Sequence, residues 1–274
     1  MRTYRNSMTL LTSRQNPKIK QVRSLSSRKQ RKQQGLFVVE GIRHVGEAVE
    51  ARADIEYLIY APELLTSEFA YSIIEQLQVI NTPVFTTTAE VFNAIADKDH
   101  PQGILAVVRQ NLASLAALSE ENFSWGVAIV SPQDPGNLGT LMRTLDSAGA
   151  DGLIVLETGT DIFHPTAVRA SMGTIFWKPV VYTSLTEFRA WQNVHQYHIY
   201  GTSAKGTVHY REIEFNRPAI LMLGSEREGL GSEEVAMCES LISLPMRGRA
   251  SSLNLSVAAG VMLYEMGAKL YHQV

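Results

Sequence analysis

The feature that most constrains this chain is a repeated order of segments in its second half. A short apolar run is followed by a polar or glycine-bearing loop, and then by a segment of helical length. Residues 127–130, 153–156, 179–182, 198–201, 219–223 and 241–244 read as strands. Residues 138–148, 166–172, 185–191, 233–239 and a long final stretch, 255–271, read as helices. This alternation predicts an α/β fold with a mostly parallel sheet covered on both faces. Ligands of such sheets bind where strands end in loops, so chemistry should lie just after strands.

The first half carries a similar signal. A basic stretch from Asn16-Pro17 through Gln34 has helical character. Strands follow at 36–39, 55–60, 83–86 and 103–108, with helices at 40–52, 67–77 and 89–95. In the first of these helices Ile42, Val45, Ala48 and Val49 recur at helical spacing. This predicts a smaller α/β unit with a mixed sheet. The expected division is a loosely ordered 1–12, a first domain over 13–108, a polar, alanine-rich linker over 109–123, and a second domain over 124–274.

Charge is unevenly placed. Residues 1–39 hold ten Lys or Arg and no Asp or Glu, whereas the rest holds 15 basic against 27 acidic groups, a net of −12. A basic segment on an acidic body points to a polyanion, and a solvated tail is the plainer reading. Candidate phosphate contacts are Arg14, Lys18, Lys20, Arg23, Arg28, Lys29, Arg31 and Lys32. The single cysteine, Cys238, excludes an internal disulfide and a cysteine-rich zinc site, and reads as a packing residue. The seven histidines show no ligand spacing, so no metal is expected. No apolar run is long enough to span a bilayer and no signal-peptide pattern is present; a cytoplasmic setting is expected.

Three loops concentrate polar residues after strands. The first, Asp134-Pro-Gly-Asn-Leu-Gly-Thr-Leu-Met-Arg-Thr144, opens a helix. Gly136 and Gly139 suit a tight turn, but they form GxxG, not GxGxxG, and no Walker lysine follows. Arg143 near a helix start would oppose the helix dipole, which hints at a role such as phosphate binding; an ordinary surface arginine fits equally. The second loop, Gly224-Ser-Glu-Arg-Glu-Gly-Leu-Gly231, could wrap a small molecule or be a simple turn. The third, Leu244-Pro-Met-Arg-Gly-Arg-Ala-Ser-Ser-Leu-Asn-Leu-Ser256, offers Ser251, Ser252, Asn254 and Ser256 as helix caps, more than one helix needs.

Together, and in this order, the loops resemble the SPOUT class, specifically its SpoU or TrmH family of RNA ribose methyltransferases. The resemblance rests on Asn137-Leu-Gly-Thr-Leu-Met-Arg143-Thr144, on Leu223-Gly-Ser-Glu226 with Gly229, and on Leu244-Pro-Met-Arg-Gly with Ser252-Leu-Asn254-Leu-Ser-Val-Ala-Ala259. Asn16-Pro17-Lys18 and Phe37-Val-Val-Glu40-Gly41 resemble a substrate-binding domain related to ribosomal protein L30e.

The resemblance implies a trefoil knot near the C-terminus, a homodimer with active sites near its interface, and S-adenosylmethionine as cofactor. It implies cofactor contacts from Gly224, Ser225, Gly229, Leu244, Met246, Ser252 and Leu253. It makes Arg143 the catalytic arginine, with Asn137, Glu226, Ser252 and Asn254 positioning it, the loop or the ribose. Ribosomal RNA is the first expected substrate and transfer RNA the second. Rival readings are a non-catalytic RNA-binding protein, a nucleotide-dependent enzyme using the Gly136 loop, and methylation of a base nitrogen.

Overall fold

A computed structural model describes residues 9–271. Its contacts divide the chain into Met1–Gln110 with Phe163–Arg169, and Asn111–Ile162 with Ala170–Val274.

In the first unit the chain runs β1 (Thr9–Leu11), α1 (Pro17–Ser24), α2 (Arg28–Gln34), β2 (Leu36–Glu40), α3 (Ile42–Glu50), β3 (Ile55–Tyr60), α4 (Glu68–Val79), β4 (Val84–Thr87), α5 (Ala89–Asn93) and β5 (Ile104–Arg109). The sheet is mixed, in the order β1-β4-β3-β5-β2. β1 and β3 run parallel to β4, while β2 and β3 run antiparallel to β5. Asn16 starts α1 by accepting from the Lys18 amide at 2.9 Å, with Pro17 at the first helical position. Ile19, Val22 and Leu25 then pack with Tyr57, Ile59, Leu105 and Val107.

Two expectations are corrected here. Thr9–Leu11 is not loose: it pairs with Phe85–Thr87, and Leu11 is buried. Residues 1–8 lie outside the described residues. The basic stretch is two helices, because the chain turns at Leu25–Ser27.

In the second unit the chain runs β6 (Trp125–Val130), α6 (Pro135–Ser147), β7 (Leu153–Leu156), α7 (Pro165–Ala170, counted with the first unit up to Arg169), β8 (Val180–Thr183), α8 (Leu185–His195), β9 (His198–Thr202), β10 (Val208–His209), β11 (Ala219–Leu223), α9 (Ser232–Met237), β12 (Ser240–Ser243) and α10 (Leu255–Tyr271). All seven strands pair in parallel, in the order β10-β12-β9-β11-β6-β7-β8. β6 and β11 are buried along their whole length, as a central parallel strand requires. Of residues 109–123, expected to be a linker, Arg109 ends β5 and residues 111–123 pack into this unit. Leu118 and Phe123 join its core, and Trp191 Nε1 donates to the Leu118 carbonyl at 3.2 Å.

The strand order places the site. From β6 the chain moves outward to β7 and β8; from β11 it passes the other way to β12. The loops leaving β6 and β11 are therefore neighbours at the carboxyl edge, where open α/β sheets bind ligands.

Candidate active site

The loop after β11 is built on glycine. A Cβ on Gly224 would lie 2.1 Å from the Gly229 carbonyl carbon, so no other residue fits. Ser225 and Gly229 exchange two backbone hydrogen bonds of 3.1 and 3.0 Å, and Gly229 has φ +70°. This closed turn carries Glu226 to the loop that follows β6. Its Oε2 accepts from the Gln133 amide at 3.1 Å, and its Oε1 from the Asp134 amide at 3.4 Å and from Asn137 Nδ2 at 3.3 Å.

The same asparagine connects onward. Asn137 Oδ1 accepts from Asn254 Nδ2 at 3.0 Å. Asn254 Oδ1 accepts from the Ser256 amide at 2.9 Å and from Ser256 Oγ at 2.6 Å, so Asn254 caps α10. A carboxylate and two amides thus tie together the three loops singled out in the sequence.

Asp134 begins α6 by accepting from the Asn137 amide at 2.7 Å, and Pro135 takes the first helical position. The helix therefore starts three residues before the expected Leu138. Gly136 and Gly139 lie inside it and form no turn. Arg143 is its ninth residue of thirteen, so it is not set against the positive end of the dipole. Arg143 is exposed, and among the described residues its side chain has no hydrogen-bond or ion-pair partner. Glu226 holds the loop and not Arg143. Ser252 is exposed and likewise makes no side-chain hydrogen bond among the described residues.

In the loop after β12, Leu244 and Met246 are half-buried and Leu253 is 42% exposed, so the loop carries apolar side chains among its polar ones. Among the described residues, no amide of residues 244–253 donates to another backbone group. Those donors are open to water or to a bound molecule.

In the first unit, Arg14 pairs with Glu90 at 3.0 Å and Lys18 Nζ lies 4.0 Å from the Tyr57 ring centroid. Lys20, Arg23, Arg28, Lys29 and Lys32 are exposed. Arg31 departs from expectation. It is 2% exposed, and its guanidinium donates to the Leu25 and Ser26 carbonyls at 2.9 and 2.8 Å. It holds the turn between α1 and α2 and is withdrawn from any phosphate. Cys238 follows α9, its thiol pushed up to about 11 by burial, in keeping with packing. Among the described residues, no cluster of His, Cys, Asp or Glu could hold a metal, and no helix is long and apolar enough to cross a membrane.

Sequence reasoning missed Gln133 and the anchoring part of Asp134. Asp-Pro ahead of an apolar helical pattern is a cap signal and would have found the second.

Residues 125–264 match the SpoU rRNA Methylase family. The chain belongs to this family. Residues 16–106 match the MRM3-like substrate binding domain. Among SpoU relatives, the 23S rRNA (uridine(2479)-2'-O)-methyltransferase of Streptomyces viridochromogenes is 31% identical over 88% of this chain and 85% of its own. A 23S rRNA (guanosine(2553)-2'-O)-methyltransferase of Bacillus subtilis is 27% identical over 94% and 99%. The AdoMet-bound rRNA methyltransferase of Sinorhizobium meliloti superposes with a TM-score of 0.87 at 32% identity, covering 96% of this chain and 98% of that one.

Proposed function

We infer that this SpoU protein transfers a methyl group from S-adenosylmethionine to a ribose 2′-hydroxyl of ribosomal RNA. The observation that carries the inference is the junction of Glu226, Asn137 and Asn254, which joins the three family loops at the switch point of the sheet. Gly224, Ser225, Gly229, Leu244, Met246, Ser252 and Leu253 are the residues to hold the cofactor: the closed glycine turn gives close backbone approach, Leu244, Met246 and Leu253 give apolar contact, and amides of the loop after β12 supply donors. S-adenosylmethionine supplies a sulfonium methyl already activated for transfer, so positioning the acceptor oxygen is the main task left to the protein.

Arg143 fits that task. A guanidinium stays protonated and cannot ordinarily take a proton, but it can grip a phosphate through its fork and orient the neighbouring hydroxyl. The hydroxyl proton then leaves to phosphate or water. Glu226, Asn137 and Asn254 fix the loop from which α6 presents Arg143.

A homodimer completes the proposal. Val257, Val261 and Tyr264 recur along α10 and are 52, 38 and 59% exposed, an apolar stripe suited to a second copy. An arginine without a partner among the described residues suits a site near such an interface. A trefoil knot near the C-terminus is the expected chain path, residues 13–108 are the RNA-binding domain, and a cytoplasmic setting follows from a ribosomal substrate.

The test is transfer from radiolabelled S-adenosylmethionine to total RNA of cells lacking the protein. Label in a large ribosomal RNA, with one linkage made resistant to alkali, is expected. Label in transfer RNA would overturn the substrate, and label removed with a base would overturn ribose as acceptor.

A further inference from the structure

Among the described residues, two buried polar atoms of the first unit have no hydrogen-bond partner: Glu40 Oε1 and His44 Nδ1. Glu40 ends β2 and is 6% exposed. Its other oxygen accepts from the Asp97 amide at 2.7 Å, so anchoring the loop after α5 accounts for only half of the carboxyl group. Gly41, at φ +104°, turns the chain from β2 into α3 and sets Glu40 and His44 on the wall of one cavity of about 330 Å³. That volume is at the lower end for small-molecule sites.

The cavity is chemically mixed. Val22, Ile95 and Val168 give it apolar walls, and Arg23 and Arg169 are also part of its lining. Arg169 pairs with Asp97 at 2.5 Å. Burial pushes the Glu40 carboxyl up and the His44 imidazole down. A buried acceptor left without a donor is costly, and natural proteins keep few of them.

We propose that this cavity receives one unstacked guanine of the RNA substrate, with Glu40 accepting from its Watson–Crick edge. A carboxylate oxygen accepts only, and guanine alone among the four bases offers two adjacent N–H donors on that edge. His44, with its proton on Nδ1, donates to the neighbouring guanine carbonyl. Adenine would set one acceptor on that edge against the carboxylate, and cytosine and uracil two each. The apolar walls take the faces of the base, and the arginines take the flanking phosphate. The proposal rests on RNA being the substrate.

The test is fluorescence anisotropy of the full chain with the labelled RNA pentamers UUGUU, UUAUU and the inosine form UUIUU, which lacks the second donor. UUGUU should bind about tenfold tighter than UUAUU, with UUIUU between them. Glu40→Gln should make the three equal, Glu40→Asp should keep part of the preference, and Arg23→Ala should weaken all three alike. Equal binding by the natural protein, or a preference that survives Glu40→Gln in a folded variant, overturns the proposal. Free guanosine monophosphate competing as well as UUGUU would overturn RNA as the ligand. Methyl transfer to ribosomal RNA is measured in parallel. A guanine preference without transfer supports the cavity and sinks the methylation; transfer without preference does the reverse.

Discussion

Asn254 donates through Nδ2 to Asn137 Oδ1 at 3.0 Å, joining residues 117 positions apart in the chain. One is the cap of α10 and the other lies in the first turn of α6, so a single amide pair fixes two helix starts. Both are used at both ends: Asn137 also donates to Glu226, and Asn254 also accepts from Ser256. Replacing either by alanine should cut methyl transfer at least about tenfold. The double variant should lose little more than one single, because the two act as a unit. Single-turnover kinetics across the double-mutant cycle check this; full additivity would mean that the pair is not coupled.

Arg143→Ala should abolish transfer while cofactor affinity, read by calorimetry, stays within about twofold. Arg143→Lys should recover little, because a point charge does not reproduce the planar fork. Loss of cofactor binding in a folded variant would contradict a role directed at the RNA.

Arg31 and its exposed neighbours should separate cleanly. Arg31→Ala leaves two carbonyls at the α1–α2 turn without their donor, and should cost about 1–3 kcal/mol of stability, seen in denaturant melts. Lys29→Ala and Lys32→Ala should leave stability unchanged and reduce the salt slope of RNA binding by about 1 each.

These cases mark what was legible in the sequence. The parallel sheet was, because fully buried strands such as Ala219–Leu223 write continuous apolar runs. The three loops were, because glycine and capping residues are local signals. β1 was not: three residues on a sheet edge take their pairing from Phe85–Thr87, not from their own pattern. Nor was Arg31, whose burial is set by the carbonyls that the Leu25–Ser27 turn presents. The partners of Glu226 were out of reach too, because they depend on which strands become neighbours in the sheet.

Glu40 gives a pH prediction. Its carboxyl is raised above 4.5, first by burial and then by nearby Asp97, against opposing pulls from the Asp97 amide, Lys98 and Arg169. The folded state therefore binds a proton more readily than the unfolded one. Stability falls as pH rises from about 4.5 through the folded pKa, where the buried group must ionise. Glu40→Gln removes that decline. Thermal melts of the RNA-free protein should show the variant gaining on the natural chain as pH rises above about 4.5. A variant that instead loses ground as pH rises would mean that the ionised carboxylate is held favourably by Lys98 or Arg169.

The α10 stripe tests the dimer. Met262, Leu263, Met266 and Leu270 face the core of their own unit, whereas Val257, Val261 and Tyr264 face out. A charge placed on the outer stripe therefore leaves the fold intact and penalises only association. Val261→Glu with Tyr264→Glu should convert a dimer to a monomer in sedimentation equilibrium with little change in far-ultraviolet dichroism. If Arg143 acts near the interface, transfer should fall with dimer content and recover at higher protein concentration. A chain that is monomeric before substitution, or a monomer with full activity, would show that each subunit carries a complete site.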